Sequence, residues 1–204
     1  MASRSLRTIV SVASTLFALA ACAPGKPTTL AIDGRSSDNV SIAARGQFVA
    51  VAWSAATVNN TDIFAATSRD GGASFAAPVR VNATLGDARV GGEQPPRVAL
   101  IPGKGDVPEV AVVWTSQGAA GTRLLVARSA DGGGTFGASD VVPGGEGVGN
   151  RGWESVAVDS SGRVFVLWLD HREAMAAGMM HHQEPAAAAA TAAPAPKPDP
   201  VEKA

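Results

Sequence analysis

Ser68-Arg69-Asp70-Gly71-Gly72-Ala73-Ser74-Phe75 returns 61 residues later as Ser129-Ala130-Asp131-Gly132-Gly133-Gly134-Thr135-Phe136. Upstream, Val51-Ala52-Trp53-Ser54 returns at the same offset of 61 as Val112-Val113-Trp114-Thr115, so each Trp precedes its box by 15 residues. Two unrelated features that keep one offset mark a duplication, and a repeat of this kind decides the architecture. A third copy starts with Ser155-Val156-Ala157-Val158-Asp159 and runs from Arg163 to Trp168. Fifteen residues beyond Trp168 stands Gln183, within His-His-Gln-Glu-Pro, and no box is there.

Around these anchors each unit reads as short strands. Phe48 to Trp53 and Val110 to Trp114 are apolar, β-branched runs suited to strands covered on both faces. Asp62 to Ser68 and Thr122 to Ser129 run into the boxes, and Pro78 to Asn82 and Ser139 to Val142 follow them. Val40 to Ala44, Arg97 to Ile101 and Ser155 to Asp159 lead the three units. No sustained helical periodicity competes between residues 27 and 172. Four antiparallel strands per repeat make the expected fold all-β, a partial β-propeller of about two and a half blades. The expected division is blade 40–96 with its box at 68–75, blade 97–152 with its box at 129–136, and an incomplete third blade at 153–172. Thr28 to Ile32, in a linker over 22–39, reads as a strand that would close a last blade.

Asp-Gly-Gly between two strands signals a hairpin, since glycine accepts the positive φ of tight turns. The Asp carboxylate can accept amide hydrogens of its own turn, the Ser or Thr at the seventh place can add a bond, and Phe75 or Phe136 can pack beneath. Ser68, Asp70, Gly72, Ser74, Phe75 and their counterparts Ser129, Asp131, Gly133, Thr135 and Phe136 are therefore expected to be structural. This Ser-x-Asp-x-Gly-x-Ser/Thr-Phe pattern resembles the Asp box, or bacterial neuraminidase repeat, of the sialidase superfamily, and the resemblance covers roughly residues 40–172. It implies blades of a six-bladed propeller, with the box joining the third and fourth strands of each. It does not carry an activity with it, because related boxes also occur in non-enzymatic surface proteins.

The family's catalysts use a Tyr nucleophile with a Glu partner, an Asp acid/base and three arginines on the substrate carboxylate. This chain has no Tyr, and no Arg-Ile-Pro motif frames Arg35, Arg45 or Arg97. Catalytic residues are accordingly expected to be none. Whether the chain is an enzyme stays open, with the missing Tyr weighing against it. Two segments are candidate ligand contacts because they enter the first strands of blades: Glu93-Gln94-Pro95-Pro96-Arg97 and Arg151-Gly152-Trp153-Glu154-Ser155. Within them Arg97 and Arg151 could grip a carboxylate through the guanidinium fork, while Trp153 beside Glu154 suits a sugar face with polar anchoring. The competing reading packs Trp153 between blades. Asp170-His171-Arg172 reads as a strand-end turn or ion pair.

The flanks carry targeting and low-complexity signals. Arg4 and Arg7 precede the uncharged apolar run Ile9 to Ala21, which fits the h-region of a signal peptide over 1–21. Leu19-Ala20-Ala21-Cys22 looks like the bacterial lipobox, which would make Cys22, the chain's single cysteine, a lipidation site. Several acyl chains together hold a protein on a membrane without spanning it. The expected location is the cell envelope, on the outer membrane facing the periplasm or the surface. No disulfide can form within the chain after Cys22. Residues 173–204 pass from Met175, Met179, Met180, His181 and His182 into an Ala/Pro-rich stretch too poor in large apolar groups to fold. Met179, Met180, His181 and His182 are candidate soft-metal ligands, although no scaffold frames them and no cofactor is expected.

With 17 basic and 18 acidic residues, net charge −1 offers no footprint for nucleic acid. The expected partners are the membrane through the anchor, a glycan or an envelope protein, and further copies of the chain if the ring is completed by self-association. The preferred expectation is the N-terminal part of a longer propeller, interrupted in its third blade. Two functions follow: a surface-anchored propeller that binds glycan or an envelope partner without catalysis, or a fragment of an exo-sialidase-like hydrolase whose nucleophile lies in other blades.

Overall fold

The computed structural model describes residues 27–103, 105–119 and 121–172. The signal segment, Cys22 and the Met/His cluster with the tail lie outside these residues. The described residues form two four-stranded antiparallel sheets and a two-stranded one, which is a partial β-propeller. The first blade holds β1 (Ser36–Arg45), β2 (Phe48–Ala56), β3 (Thr61–Ser68) and β4 (Val79–Arg80) in spatial order. The second repeats it with β5 (Arg97–Ile101), β6 (Glu109–Gly118), β7 (Gly121–Ser129) and β8 (Asp140–Val141). The third contributes β9 (Arg151–Val158) and β10 (Val164–Asp170).

The 61-residue repeat is also a packing repeat. Alternate residues of a strand point to opposite faces, and here the two faces meet different blades. Val110, Val112 and Trp114 of β6 pack against Phe48, Ala50, Ile63 and Ala65 of the first blade. Val113 and Leu124, on the opposite face, meet Val156, Val166 and Trp168 of the third. Each repeated Trp thus faces the preceding blade. Trp53 has no such blade among the described residues, and Leu30 and Ile32 cover it instead.

That cover corrects one expectation. Residues 27–32 form no strand; they run as irregular chain across the face of β2. They are anchored by Arg35, whose guanidinium donates to Asp62 at 2.6 Å and to the Ala55 carbonyl at 3.1 Å. Burial works against the Asp62 carboxylate, yet bonds from the Gly86 amide, Asn82 and Arg35 outweigh it and hold its pKa below the usual range. The other departures from expectation lie at strand ends. β1 and β9 begin several residues early because each passes through a bulge, at Asn39 (φ 56°) and Trp153 (φ 55°), and then resumes pairing. The fourth strands shrink to two residues each.

Both boxes are built alike. Ser68 Oγ donates to Asp70 Oδ1 at 2.6 Å and accepts from the Gly72 amide at 2.8 Å. Ser74 donates to the same carboxylate through its amide and its hydroxyl. In the second box Ser129, Gly133 and Thr135 make the matching bonds around Asp131, at 2.6, 2.7, 3.0 and 2.7 Å. These bonds to the ionised form hold both carboxyls well below the usual carboxylate range.

Candidate functional site

Antiparallel strands alternate in direction, so the loops divide between two ends of the blade stack. The boxes and the β1–β2, β5–β6 and β9–β10 turns occupy one end. The β2–β3 and β6–β7 turns and the segments that enter β5 and β9 occupy the other. A cleft of about 320 Å³ opens at this second end between the second and third blades, lined by Arg89, Gln94, Gln117, Asn150 and Trp153 with Thr122 and Arg151.

Trp153 is the cleft's aromatic wall. The bulge forces its backbone to positive φ, which a bulky side chain rarely adopts. Its neighbours Gly152 and Glu154 turn inward and are buried, while Trp153 stays 41% exposed. His171 stacks on its indole, with ring centroids 5.2 Å apart and planes 29° from parallel. The His171 amide donates to the Asn150 carbonyl at 2.9 Å, which ties this stack to the loop before β9. Across the cleft, Arg89 donates to Gln117 Oε1 at 3.0 Å. The backbone around Arg89 bonds to β6 through Arg89 N to Thr115 O and Gln117 N to Asp87 O, both 2.8 Å. The polar wall is therefore fixed to a strand rather than to a free loop.

The four residues singled out in the sequence end in different places. Trp153 lines the cleft. Arg151 does too, but it is the first residue of β9 rather than part of a loop, and its side chain is buried. Its guanidinium donates to the carbonyls of Thr122, Glu146, Gly147, Val148 and Gly149, and Nε stands 3.5 Å from Asp170 Oδ2. The fork that could grip a ligand carboxylate is occupied in shaping the loop at 146–149.

Glu154 is sealed between blades, where Thr115 Oγ1 donates to its Oε2 at 3.1 Å and Oε1 has no partner. Burial pushes its pKa up, against the weaker opposing pull of its own backbone, Thr115 and Arg97. Arg97 bridges the first strands of two blades, its Nε donating to the Glu154 carbonyl at 2.8 Å. Asp170 and Arg172 form an ion pair at the end of β10, as their spacing suggests.

Arg89, Gln117 and Asn150 escaped the sequence reading. Gln94 stood within a quoted segment without being singled out. A neutral amide in a turn gives no signal of its own, and Gln117 and Asn150 line one cleft only because β6 and β9 are neighbours in space. Among the described residues no group of three His, Cys, Asp or Glu is placed to hold a metal ion. No described helix is long and apolar enough to cross a membrane, a statement that does not bear on β-barrels.

No protein-family model matches the chain, and no curated protein matches it. Among solved structures, it is similar to a mutant of the α-L-arabinofuranosidase arb93a from Fusarium graminearum, in complex with an iminosugar inhibitor, at 18% identity and a TM-score of 0.41. The match covers 62% of this chain and 38% of that one, so the chain spans well under half of that structure's length.

Proposed function

We propose that these blades belong to a sialidase-like propeller lipoprotein, anchored to the bacterial envelope through Cys22, that binds a glycan in the Trp153 cleft without hydrolysing it. Support for the anchor is the Leu19-Ala20-Ala21-Cys22 pattern behind an apolar run. Support for the family is the twice-repeated box. The observation that carries the binding role is Trp153, held at positive φ with its ring exposed over a cleft whose polar lining is three amides, Thr122 and two arginines, of which Arg151 is occupied by backbone carbonyls. Aromatic faces stack on the apolar face of a pyranose, and amides donate to and accept from its hydroxyls. No carboxylate lines the cleft, so nothing there supplies the paired acids that most glycoside hydrolases need.

The test is a titration of intrinsic tryptophan fluorescence with chitotetraose, maltotetraose, cellotetraose and 3′-sialyllactose, run on the full chain and on Trp153→Ala. At least one oligosaccharide should give a saturable shift that the variant loses, with Gln117→Ala weakening it about ten-fold. Unchanged affinity in Trp153→Ala, or no saturable response to any of the four, would sink the reading.

A further inference from the structure

The opposite end of the stack carries a second cleft, of about 490 Å³, between the first two blades. It arises where the second unit departs from the repeat. The β1–β2 turn is a tight hairpin in which Arg45 pairs with Phe48 and Gly46 takes positive φ. Its counterpart, from Ile101 to Glu109, is a longer loop whose Val107 and Pro108 form the far wall. Arg45 and Arg69 both line the space between.

Neither arginine serves the repeat. Arg69 occupies the free second position of the first box, where the other box has Ala130. Arg45 pairs with Phe48 at the end of β1, and in the second blade the corresponding end residue, paired with Glu109, is Ile101. Among the described residues neither guanidinium has a hydrogen bond or ion pair. The segments that carry them are nevertheless held together: the Gly71 amide donates to the Gln47 carbonyl at 2.8 Å, pinning the hairpin that carries Arg45 onto the box that carries Arg69. Arg69 crosses the seam, its Nη2 3.5 Å from where a Cβ on Gly132 would stand, beside Phe48 and Val107. One acid, Asp106, lines the same space.

We propose that this cleft is a second binding site, distinct from the Trp153 cleft, for a small hydroxylated oxyanion of the sugar phosphate or sugar acid class. Two unpaired guanidinium forks lining one cleft match the planar or tetrahedral oxygens of a carboxylate or phosphate. Asp106 disfavours a bare anion and accepts from a hydroxyl, which selects a ligand carrying both groups. The hairpin–box bond fixes the backbone segments that carry the two arginines, so binding has only their exposed side chains to order.

The experiment is isothermal titration of the full chain with glucose 6-phosphate, glucuronate, inorganic phosphate and glucose at low ionic strength. Saturable 1:1 binding of glucose 6-phosphate or glucuronate is expected, with glucose silent and inorganic phosphate weaker. Which of the two binds more tightly identifies phosphate or carboxylate as the preferred anion. Arg45→Gln and Arg69→Gln should each weaken binding about ten-fold or more, while Arg128→Gln, an exposed arginine outside the cleft, and Trp153→Ala should not. Unfolding temperatures for each variant separate lost binding from lost fold. The proposal is overturned if neither hydroxylated anion binds saturably, or if Arg128→Gln weakens binding as much as Arg69→Gln. It is equally overturned if inorganic phosphate binds as well as glucose 6-phosphate, which would remove the role of Asp106.

Discussion

Glu154 takes a carboxyl group into the seam between the second and third blades and leaves one of its oxygens without a partner. Burial disfavours the charged form, so its folded-state pKa lies above its ordinary value. The stability this group contributes is full below the unfolded pKa and is lost as pH rises through the folded one. Glu154→Gln keeps the shape and has no proton to lose. The variant is expected to match the parent in thermal unfolding near pH 4 and to exceed it increasingly towards pH 8. Parallel curves for the two proteins would show that the carboxyl is not strained by burial. Trp153, the adjacent residue, illustrates the limit of reading side chains singly. Its exposure depends on a bulge, and a bulge is a relation between two strands.

At the scale of elements, the box is a turn that holds itself together by bonds from its own Ser, Thr and amides to one Asp. That much was legible in eight residues, because every partner lies within four positions. What the two boxes touch was not legible. Gly72 and Gly133 share a position and a φ near +90°, yet a Cβ on Gly72 would meet nothing within 4 Å. A Cβ on Gly133 would lie 2.6 Å from Thr67 Cγ2 of the neighbouring blade. Gly72→Ala is expected to cost about 1–2 kcal/mol through backbone strain alone. Gly133→Ala should cost about 1–3 kcal/mol more, because the blades must separate locally. Denaturant unfolding of both variants measures the difference, and equal losses would mean that the second box does not brace the seam.

The whole molecule is held by blades stacked face to face, with Trp114 fully buried between the first two. Trp114→Ala is expected to cost about 3–5 kcal/mol. Because each blade's core is completed by its neighbour, amide-exchange protection should fall in both β2 and β6 rather than in β6 alone. Loss confined to β6 would show that the blades unfold independently. The open face of the third blade has a different character. Phe165, Leu167 and Leu169 alternate along β10 and are 53%, 75% and 56% exposed, while Val166 and Trp168 between them pack on the second blade.

From the chain alone, the repeat unit, its four strands, the turn between the third and fourth, and the all-β class were all determined. Each depends on spacing and on contacts within a few residues, which survive in the order of amino acids. Tertiary structure decided which residues line a cleft. Arg151 and Glu154 looked like binding groups and are buried by the blades around them, whereas Arg89, Gln117 and Asn150 carried no signal and line a cleft. Both clefts lie at seams between blades, and a seam joins residues far apart in sequence through packing that no local pattern records.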